Sequence, residues 1–476
     1  MGNADVYESP LVARYASGVV AELFGARRRI LTWRRLWLAL AEVQRRAGLP
    51  ITAAQIAELK RTIEDIDFKA AARHEKRLRH DVMAHVHAWG DVAPLARGIL
   101  HLGATSAYVV DNADLILMRE AMRLVAASLA AVIAALADFA KRHRGLPTLG
   151  YTHFQPAQPT TVGKRAALWC YDFVRDLEEI ELRIATLRFR GVKGATGTQA
   201  SFLDLFNGDH AKVLRLERDV AKQFGFDRVE PVTGQTSSRK VDVQVVCALG
   251  GIAASVHKFA NDLRLLQNLK EIEEPFEEGQ VGSSVMAYKR NPMRSERATS
   301  LARFVISLVS SPLQTAAEQW FERTLDDSAN KRLAVPEAFL ATDGMLRICA
   351  NVARGLVVFP KVIAARLSAE LPFMATERIL TLATAAGADR QEVHEIIRRH
   401  AQAAGEQVKM HGRANDLIER LRAEPALAKL DWGDVTDARN FIGRAPQQVD
   451  EFLKEFVVPI RRRYRQAAQQ SAELDV

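Results

Sequence analysis

Leu115-Ile-Leu-Met-Arg-Glu-Ala-Met-Arg-Leu-Val-Ala-Ala-Ser-Leu-Ala-Ala-Val-Ile-Ala-Ala-Leu-Ala-Asp-Phe139 is the stretch that decides the fold. Large apolar side chains recur in it at alternating steps of three and four residues, a heptad seam that predicts helices packed side by side in a bundle. Asp111 or Asn112 is positioned to cap the start of this helix, and Gly145-Leu-Pro147 predicts its end. The seam consists of Leu115, Met118, Met122, Val125, Leu129, Val132, Leu136 and Phe139.

Further long helical patterns follow in the central part of the chain. At about 1.5 Å per residue, roughly thirty residues reach about 45 Å, so such helices are rods rather than the short elements of a compact globule. Strand-type alternation is scarce, and the predicted fold class is therefore all-α. The patterns run from Val162 to about Phe189, from Val241 to Leu269, from Met293 to Ser310 and from Asn330 to Val357.

Short helices and polar turns dominate on either side of these rods. The chain has 476 residues, which is too long for one ordinary compact core. We therefore predict three domains: an N-terminal helical domain (1–111), a central bundle of very long helices (112–364) and a C-terminal helical domain (365–476).

The composition is that of a soluble globular protein, with 48% hydrophobic and 26% charged residues. The formal net charge of +9 suits nucleic acid, but it suits a small polyanionic substrate equally well. Acidic residues are mixed with basic ones, as in Arg175-Asp-Leu-Glu-Glu179, which is typical of solvated helix faces and argues against a nucleic-acid partner. The three cysteines lie far apart, which excludes a disulfide framework and favours a reducing compartment: Cys170, Cys247 and Cys349.

The sequence predicts neither a signal peptide nor a membrane-spanning helix. The N-terminal Met-Gly-Asn-Ala-Asp-Val-Tyr-Glu8 lacks the basic patch and apolar run of a signal peptide. The longest mainly apolar stretch, Leu124–Ala137, is shorter than the roughly 20 residues that span a bilayer. The expected location is cytoplasmic, with no membrane partner.

The most informative interruption of the helical background is Gly279-Gln-Val-Gly-Ser-Ser-Val-Met-Ala-Tyr-Lys-Arg-Asn-Pro-Met-Arg-Ser-Glu296. Its glycines and paired serines predict a flexible loop with exposed backbone N–H groups. Pro292 suits the first turn of a following helix, and a glycine-rich loop that leads into a helix beside Lys289 is a natural anion site. The residues alone therefore indicate a site for a carboxylate or a phosphate.

The same segment carries a family resemblance. Ser-Ser-x-Met-x-x-Lys-x-Asn-Pro resembles the signature of the fumarase/aspartase superfamily, whose members eliminate fumarate from succinyl-type substrates. Within that superfamily, the ending Tyr288–Glu296 resembles the branch that acts on succinylated purine nucleotides. The similarity runs from about Tyr7 to Val449 and includes three further segments: Lys76–His87, Leu149–Thr161 and Arg190–Gln199.

One position departs from the family pattern. Ala287 stands where the signature usually has proline after the methionine. The loss of proline leaves the empty loop with more conformational freedom, worth roughly 0.4–1 kcal/mol, but it removes no chemical group.

The resemblance implies a β-elimination that breaks a carbon–nitrogen bond. It implies Ser283 as the general base and His153 as the general acid, with Lys289 helping to polarise the serine and His80 helping to bind or polarise the substrate. A histidine suits the acid role because its reference pKa of about 6.5 lets it carry a proton near neutral pH.

Substrate-binding residues also follow from the resemblance. A phosphate and two succinyl carboxylates need cations and hydroxyls at separated places. Matched to the family pattern, the binding positions are Arg14, Tyr15, Arg79, Asp81, Thr105, Ser106, Thr152, Gln235, Asn291, Arg297, Arg323, Ser328 and Arg332.

The resemblance implies no cofactor and no metal, and the spacing of His80, His85 and His87 matches no zinc motif. It also implies a homotetramer in which several subunits share each active site. Two alternatives stay open at this point: another fumarate-releasing lyase, such as argininosuccinate lyase, or a basic helical scaffold that binds nucleic acid.

Overall fold

The structure is a computed structural model that describes residues 6–467. Within them, helices dominate and four short strands form two small sheets, so the predicted all-α class is confirmed. The strands are β1 Pro147–Thr152, β2 Gln155–Thr161, β3 Ile272–Glu273 and β4 Val357–Val358. The helices are α1 Gly18–Leu23, α2 Ala26–Arg46, α3 Ala53–Arg61, α4 Phe68–Leu78, α5 Asp81–Val92, α6 Ser106–Arg142, α7 Val162–Thr186, α8 Ala200–Leu205, α9 His210–Gln223, α10 Lys240–Asn268, α11 Met293–Leu308, α12 Ser310–Ala317, α13 Asp326–Gly355, α14 Pro360–Met374, α15 Thr376–Ala385, α16 Arg390–His411, α17 Leu417–Arg422, α18 Ala445–Phe452 and α19 Val458–Arg463.

The centre of the molecule is a bundle of α6, α7, α10, α11 and α13. Helix α6 has 37 residues, which makes it about 55 Å long at about 1.5 Å per residue. All eight seam residues of this helix are at most 3% exposed, so the predicted seam is the buried face of the rod. The heptad spacing therefore predicts both the helix and its packing.

The start of α6 differs from the prediction. The helix begins at Ser106, with Thr105 as its N-cap residue, so Asp111 and Asn112 lie inside the helix and are buried. Asn112 donates to the carbonyls of Tyr108 and, across the bundle, Gly191. The capping prediction is wrong because these two polar side chains satisfy tertiary partners rather than the helix end.

Asp111 belongs to a buried ion-pair network that joins three rods. It accepts from Arg239 at 2.7 Å and from Lys331 at 3.0 Å. Burial alone would raise the pKa of the Asp111 carboxyl, but the two cations hold it well below its usual range. The starts of α6, α10 and α13 are thereby tied together, and we call this end of the bundle the proximal end.

The opposite end of the bundle, the distal end, carries an antiparallel hairpin of β1 and β2. The Thr148 hydroxyl donates to Glu271, which follows α10, and Glu271 also accepts from Arg366 of α14. The sequence patterns do not predict this hairpin, because Pro156 and Pro159 occupy β2 and the segment lacks apolar alternation.

Two of the rods, α6 and α10, are long and apolar enough to cross a membrane by length and composition alone. Their most apolar windows are, however, 67% and 56% buried inside the molecule. The length of the apolar stretch Leu124–Ala137 therefore does not by itself exclude α6 as a membrane span. Burial in the bundle accounts for the apolar character of both helices.

The C-terminal part of the chain has a buried cluster of its own, formed by side chains such as Ile379, Val393 and Leu421. By contrast, the buried tryptophans Trp37 and Trp89 of the N-terminal part belong to the same core as the rods. The domain boundaries at 111 and 364 stay a prediction. The first residues of the N-terminal domain (1–5) and the last residues of the C-terminal domain (468–476) lie outside the described part of the chain.

Candidate active site

A cluster of polar side chains at the proximal end surrounds the turn between α4 and α5. Arg79 ends α4 in the left-handed region (φ 54°), and His80 caps the start of α5. The His80 Nε2 atom lies 3.2 Å from the hydroxyl of Ser106, the first residue of α6. The helix geometry thus brings together Arg79, His80, Asp81, Thr105 and Ser106, which we call the proximal cleft.

The hydrogen bonds of His80 indicate where its proton resides. Its Nδ1 atom accepts from the backbone N–H of Met83 at 3.4 Å, and a backbone N–H can only donate. In the neutral ring the proton is therefore on Nε2, which donates to Ser106. Because the Ser106 oxygen accepts from His80, the Ser106 O–H is left to donate to an anionic oxygen.

An ion pair fixes the neighbouring carboxylate. Arg332 of α13 donates to Asp81 at 2.8 Å. Burial alone would raise the pKa of Asp81, but the hydrogen bonds from Arg332 and from the Val82 N–H hold it below its usual value. Arg332 is therefore placed at the proximal cleft, with its charge partly balanced by Asp81.

Three more of the predicted binding residues also lie at the proximal end. The backbone N–H of Gln235 donates to the carbonyl of Glu322, which sets Gln235 beside Arg323. Arg323 pairs with Asp327 at 3.2 Å, and Ser328 lies in the first turn of α13. Asp327 also lies 3.6 Å from Arg239, so the buried network supports this group.

The serine loop, residues 279–292, lies at the distal end. The Ser283 hydroxyl oxygen accepts from the backbone N–H groups of Val285 at 3.4 Å and Met286 at 3.1 Å. Asn291 donates to the carbonyl of Gly282 at 2.8 Å and closes the loop on itself. Two N–H groups directed at one hydroxyl oxygen stabilise negative charge there, which is what a serine needs to act as a base.

Gly282 shows why the loop needs a glycine at its closure. A Cβ atom added there would lie 2.3 Å from the carbonyl oxygen of Lys289, closer than any ordinary contact. The Lys289 side chain itself is exposed and makes no ion pair within residues 6–467. Its charge is therefore available to a bound anion.

Glu274 anchors the serine loop, although no motif in the sequence points to it. Its buried carboxylate accepts from the backbone N–H groups of Arg294 and Ser295, both at 2.9 Å, and from the Ser295 hydroxyl at 2.8 Å. These groups form the first turn of α11, where a negative charge is also favoured by the helix dipole. Glu274 therefore joins the two stems of the loop.

Replacing Glu274 with glutamine should loosen the serine loop without unfolding the bundle. The variant loses a charge-assisted acceptor at a helix start, which should cost about 1–3 kcal/mol of local stability and lower kcat several-fold. Limited proteolysis within residues 279–292, together with steady-state kinetics, measures both effects. Glu273→Gln is the matched control, because Glu273 only approaches Arg290 at 3.7 Å, and equal effects in the two variants would contradict the anchoring role.

His153 lies at the tip of the distal hairpin. Thr152 pairs with Gln155, so His153 and Phe154 form a two-residue turn in which both have positive φ, 53° and 57°. Such a turn, as in type I′, normally uses asparagine and glycine. The hairpin holds the imidazole and Thr152 outward, and Phe154 is 55% exposed.

The remaining predicted residues lie elsewhere along the rods. Arg14 and Tyr15 are in a short turn against the middle of α13, where Arg347 donates to the Tyr15 carbonyl at 3.1 Å. Arg297 is in α11, just beyond the serine loop.

A single chain does not bring the predicted residues together. Lys240 is at the proximal end, and Gln267 of the same helix donates to the carbonyl of Arg290 in the serine loop. The length of helix between them is about 40 Å at about 1.5 Å per residue. His80 and Ser283 are therefore held apart by the rods, and no hydrogen bond within residues 6–467 joins Ser283 to His153.

Within residues 6–467, no group of three His, Cys, Asp or Glu side chains is arranged to hold a metal ion.

Comparison with known proteins identifies the family. The lyase family profile matches residues 52–307, and the profile for the adenylosuccinate lyase C-terminus matches residues 372–452. The chain is 53% identical to adenylosuccinate lyase of Schizosaccharomyces pombe over 95% of both chains, and 51% identical to that of Saccharomyces cerevisiae over 96% of both. The chain belongs to the adenylosuccinate lyase family. The recognition from the sequence motifs is thus confirmed.

Solved structures share the fold of this chain. A fumarate lyase from Mesorhizobium is similar with a TM-score of 0.78 and 26% identity, covering 94% of this chain and 100% of that one. A 3-carboxy-cis,cis-muconate lactonizing enzyme from Pseudomonas putida has a TM-score of 0.81 at 23% identity, covering 96% and 100% of the two chains, and shows the shared fold alone. The long-helix architecture described above is therefore shared with these solved structures.

Proposed function

We propose that this protein cleaves adenylosuccinate into AMP and fumarate. We further propose that it cleaves the succinyl-aminoimidazole-carboxamide ribotide of purine biosynthesis into AICAR and fumarate. The observation that carries the proposal is the serine loop, in which two backbone N–H groups converge on the Ser283 hydroxyl in a chain of this family.

Ser283 is the general base in this proposal. Its oxygen removes a proton from the succinyl carbon beside a carboxylate, and the electron pair of that C–H bond moves into the carboxylate to form an aci-carboxylate. The Val285 and Met286 N–H groups support charge on Ser283. A preorganised donor aimed at developing charge is often worth about 3–4 kcal/mol. In this proposal Lys289 and Asn291, which belong to the same loop, contact the substrate.

His153 is the general acid. The aci-carboxylate collapses to the carbon–carbon double bond of fumarate, the carbon–nitrogen bond breaks, and the electron pair leaves with the nitrogen. Protonation of that nitrogen by His153 completes the elimination. The exposed hairpin tip supports this role, because it can extend into a site on another chain.

The anionic groups of the substrate need donors at separate places. In this proposal, the proximal cleft with Thr105, Ser106 and His80 binds a succinyl carboxylate, with Gln235 nearby and Thr152 supplied by the distal hairpin of another chain. The nucleotide and its phosphate are bound by the other predicted residues: Arg14, Tyr15, Arg79, Asp81, Arg297, Arg323, Ser328 and Arg332.

We also propose a homotetramer with shared active sites, and the length of the rods supports the sharing. About 40 Å separates the proximal cleft from the serine loop of the same chain, so a complete site needs loops from other copies packed alongside. The exposed apolar side chains at the proximal end support such contacts, since Trp320 is 66% exposed and Phe321 is fully exposed.

We also propose that the chain divides into three domains at 111 and 364. We further propose that the protein is soluble and cytoplasmic and has no nucleic-acid partners.

The decisive experiment is incubation of the purified protein with adenylosuccinate, with fumarate followed by chromatography. Turnover without added metal or cofactor is expected, together with AMP in equal amount. Argininosuccinate is the parallel substrate, and fumarate from it alone would replace the proposal with argininosuccinate lyase activity. No fumarate from any of the succinylated substrates, with salt-sensitive RNA binding instead, would refute it altogether.

A further inference from the structure

Trp37 makes a buried hydrogen bond to a histidine that the proposed mechanism does not use. It lies in the middle of α2 and is 1% exposed. Its indole N–H donates to Nδ1 of His101 at 2.8 Å, and the two rings meet edge to face with centroids 6.0 Å apart. An indole N–H is a donor only, so Nδ1 accepts and the proton of neutral His101 is on Nε2.

His101 lies in a turn that leads directly into the proximal cleft. Its backbone is in the left-handed region (φ 66°), and its carbonyl accepts from Ala104 just before Thr105 and Ser106. The Nε2 atom makes no hydrogen bond within residues 6–467 and is not buried. One ring nitrogen is thus fixed in the core while the other is available to a ligand.

The environment of His101 keeps the ring neutral. Burial, and to a smaller extent the charge of His80, lower the pKa of His101 to about 4. At neutral pH the ring is therefore a hydrogen-bond donor without charge. If the ring carried its proton on Nδ1 instead, Nε2 would present a lone pair to an anionic ligand and repel it.

We propose that Trp37 is a positioning residue that holds His101 as a neutral Nε2–H donor for an anionic oxygen of the substrate in the proximal cleft. The proposal rests on the proposed function, because it takes the succinylated nucleotide as the ligand. The buried Trp37 indole thereby fixes His101 in the tautomer that can donate a hydrogen bond to an anion.

The test compares Trp37→Phe with Trp33→Phe. Trp33 is the matched control because it is in the same helix, is 2% exposed and has an indole N–H without a partner. In Trp37→Phe, KM for adenylosuccinate should rise about three- to tenfold with kcat little changed, since one donor is no longer preorganised. Trp33→Phe should leave KM unchanged, and equal KM values in both variants would overturn the proposal.

The pH dependence separates this effect from a general loss of packing. The Trp37 N–H can only donate, so its removal leaves the Nδ1 lone pair open to a proton, and the pKa of His101 should be higher in Trp37→Phe than in wild type even though burial and His80 still lower it. A protonated ring carries N–H on both nitrogens, so KM of Trp37→Phe should improve as the pH falls from 7.5 to 6, relative to wild type and Trp33→Phe. An equal pH dependence in all three proteins would contradict the proposal.

Two further measurements locate the donor and test the tautomer directly. Inhibition by AMP reports on the phosphate site, and inhibition by fumarate reports on the carboxylate site. The product whose inhibition constant rises in Trp37→Phe identifies the anion that His101 contacts. An unchanged inhibition constant for both products counts against the proposal. Magic-angle-spinning NMR of wild-type protein with 15N-labelled histidine, assigned with a His101→Gln variant, should show Nε2 protonated; a proton on Nδ1 would refute it. Failure of the proposed function would instead appear as no fumarate from the wild type.

Discussion

Replacement of Ser283 by alanine is expected to reduce kcat by roughly 10²–10⁴-fold, the usual range for loss of a general acid or base. The variant should keep its fold and bind substrate with little change in affinity, because the hydroxyl is in a half-buried loop position that no core contact depends on. Fumarate release under saturating adenylosuccinate, with thermal unfolding measured in parallel, tests both parts.

Ser284→Ala is the matched control for this prediction. The two serines are adjacent, but only the Ser283 oxygen accepts the converging N–H groups of Val285 and Met286. Ser284→Ala should therefore retain most of its turnover. Near-normal kcat in Ser283→Ala, or a larger loss in Ser284→Ala, would show that the base is assigned to the wrong residue.

Mixing two inactive variants should restore activity if each site is built from several chains. His80→Ala removes a group from the proximal cleft and Ser283→Ala removes one from the distal loop, about 40 Å away in the same chain. After the two variants are unfolded and refolded together, about one site in four should combine an intact cleft with an intact loop. Turnover near a quarter of wild type is expected, against almost none in either variant alone.

A second mixture serves as the control. Ser283→Ala and Lys289→Ala both alter the same loop, so no arrangement of their chains supplies an intact one, and this mixture should stay inactive. Differently tagged chains establish that mixed oligomers form. Co-assembly of the His80 and Ser283 variants without recovered turnover would mean that the site does not draw these two residues from different chains.

The long helices could be predicted because their signal is local. Val162 and Met293 are the observed first residues of α7 and α11, as their patterns predict. The start of α6 could not be predicted in the same way, because Asp111 suits a helix cap equally well when its distant partners Arg239 and Lys331 are unknown. A buried ion pair between separate helices leaves no local pattern in a sequence.

The same distinction applies to the candidate site. Ser283, Asn291 and Gly282 are close in the chain, so the motif itself predicts the closed loop. Glu274 stands outside the motif, and Trp37 lies 64 residues from His101, so their contacts exist only in the folded chain. The substrate contacts that we propose come from motifs, whereas the groups that hold those side chains in place depend on the tertiary structure.

The turn at His153 and Phe154 has a further consequence for how the chain tolerates change. Two side-chain-bearing residues with left-handed backbones cost of order 1–3 kcal/mol each, and a glycine at position 154 would largely remove the cost at that one position. A selection for thermal resistance alone would favour that glycine. The same replacement would give the imidazole a wider range of directions, so heat tolerance and the proton delivery proposed for His153 make opposite demands on this one peptide unit.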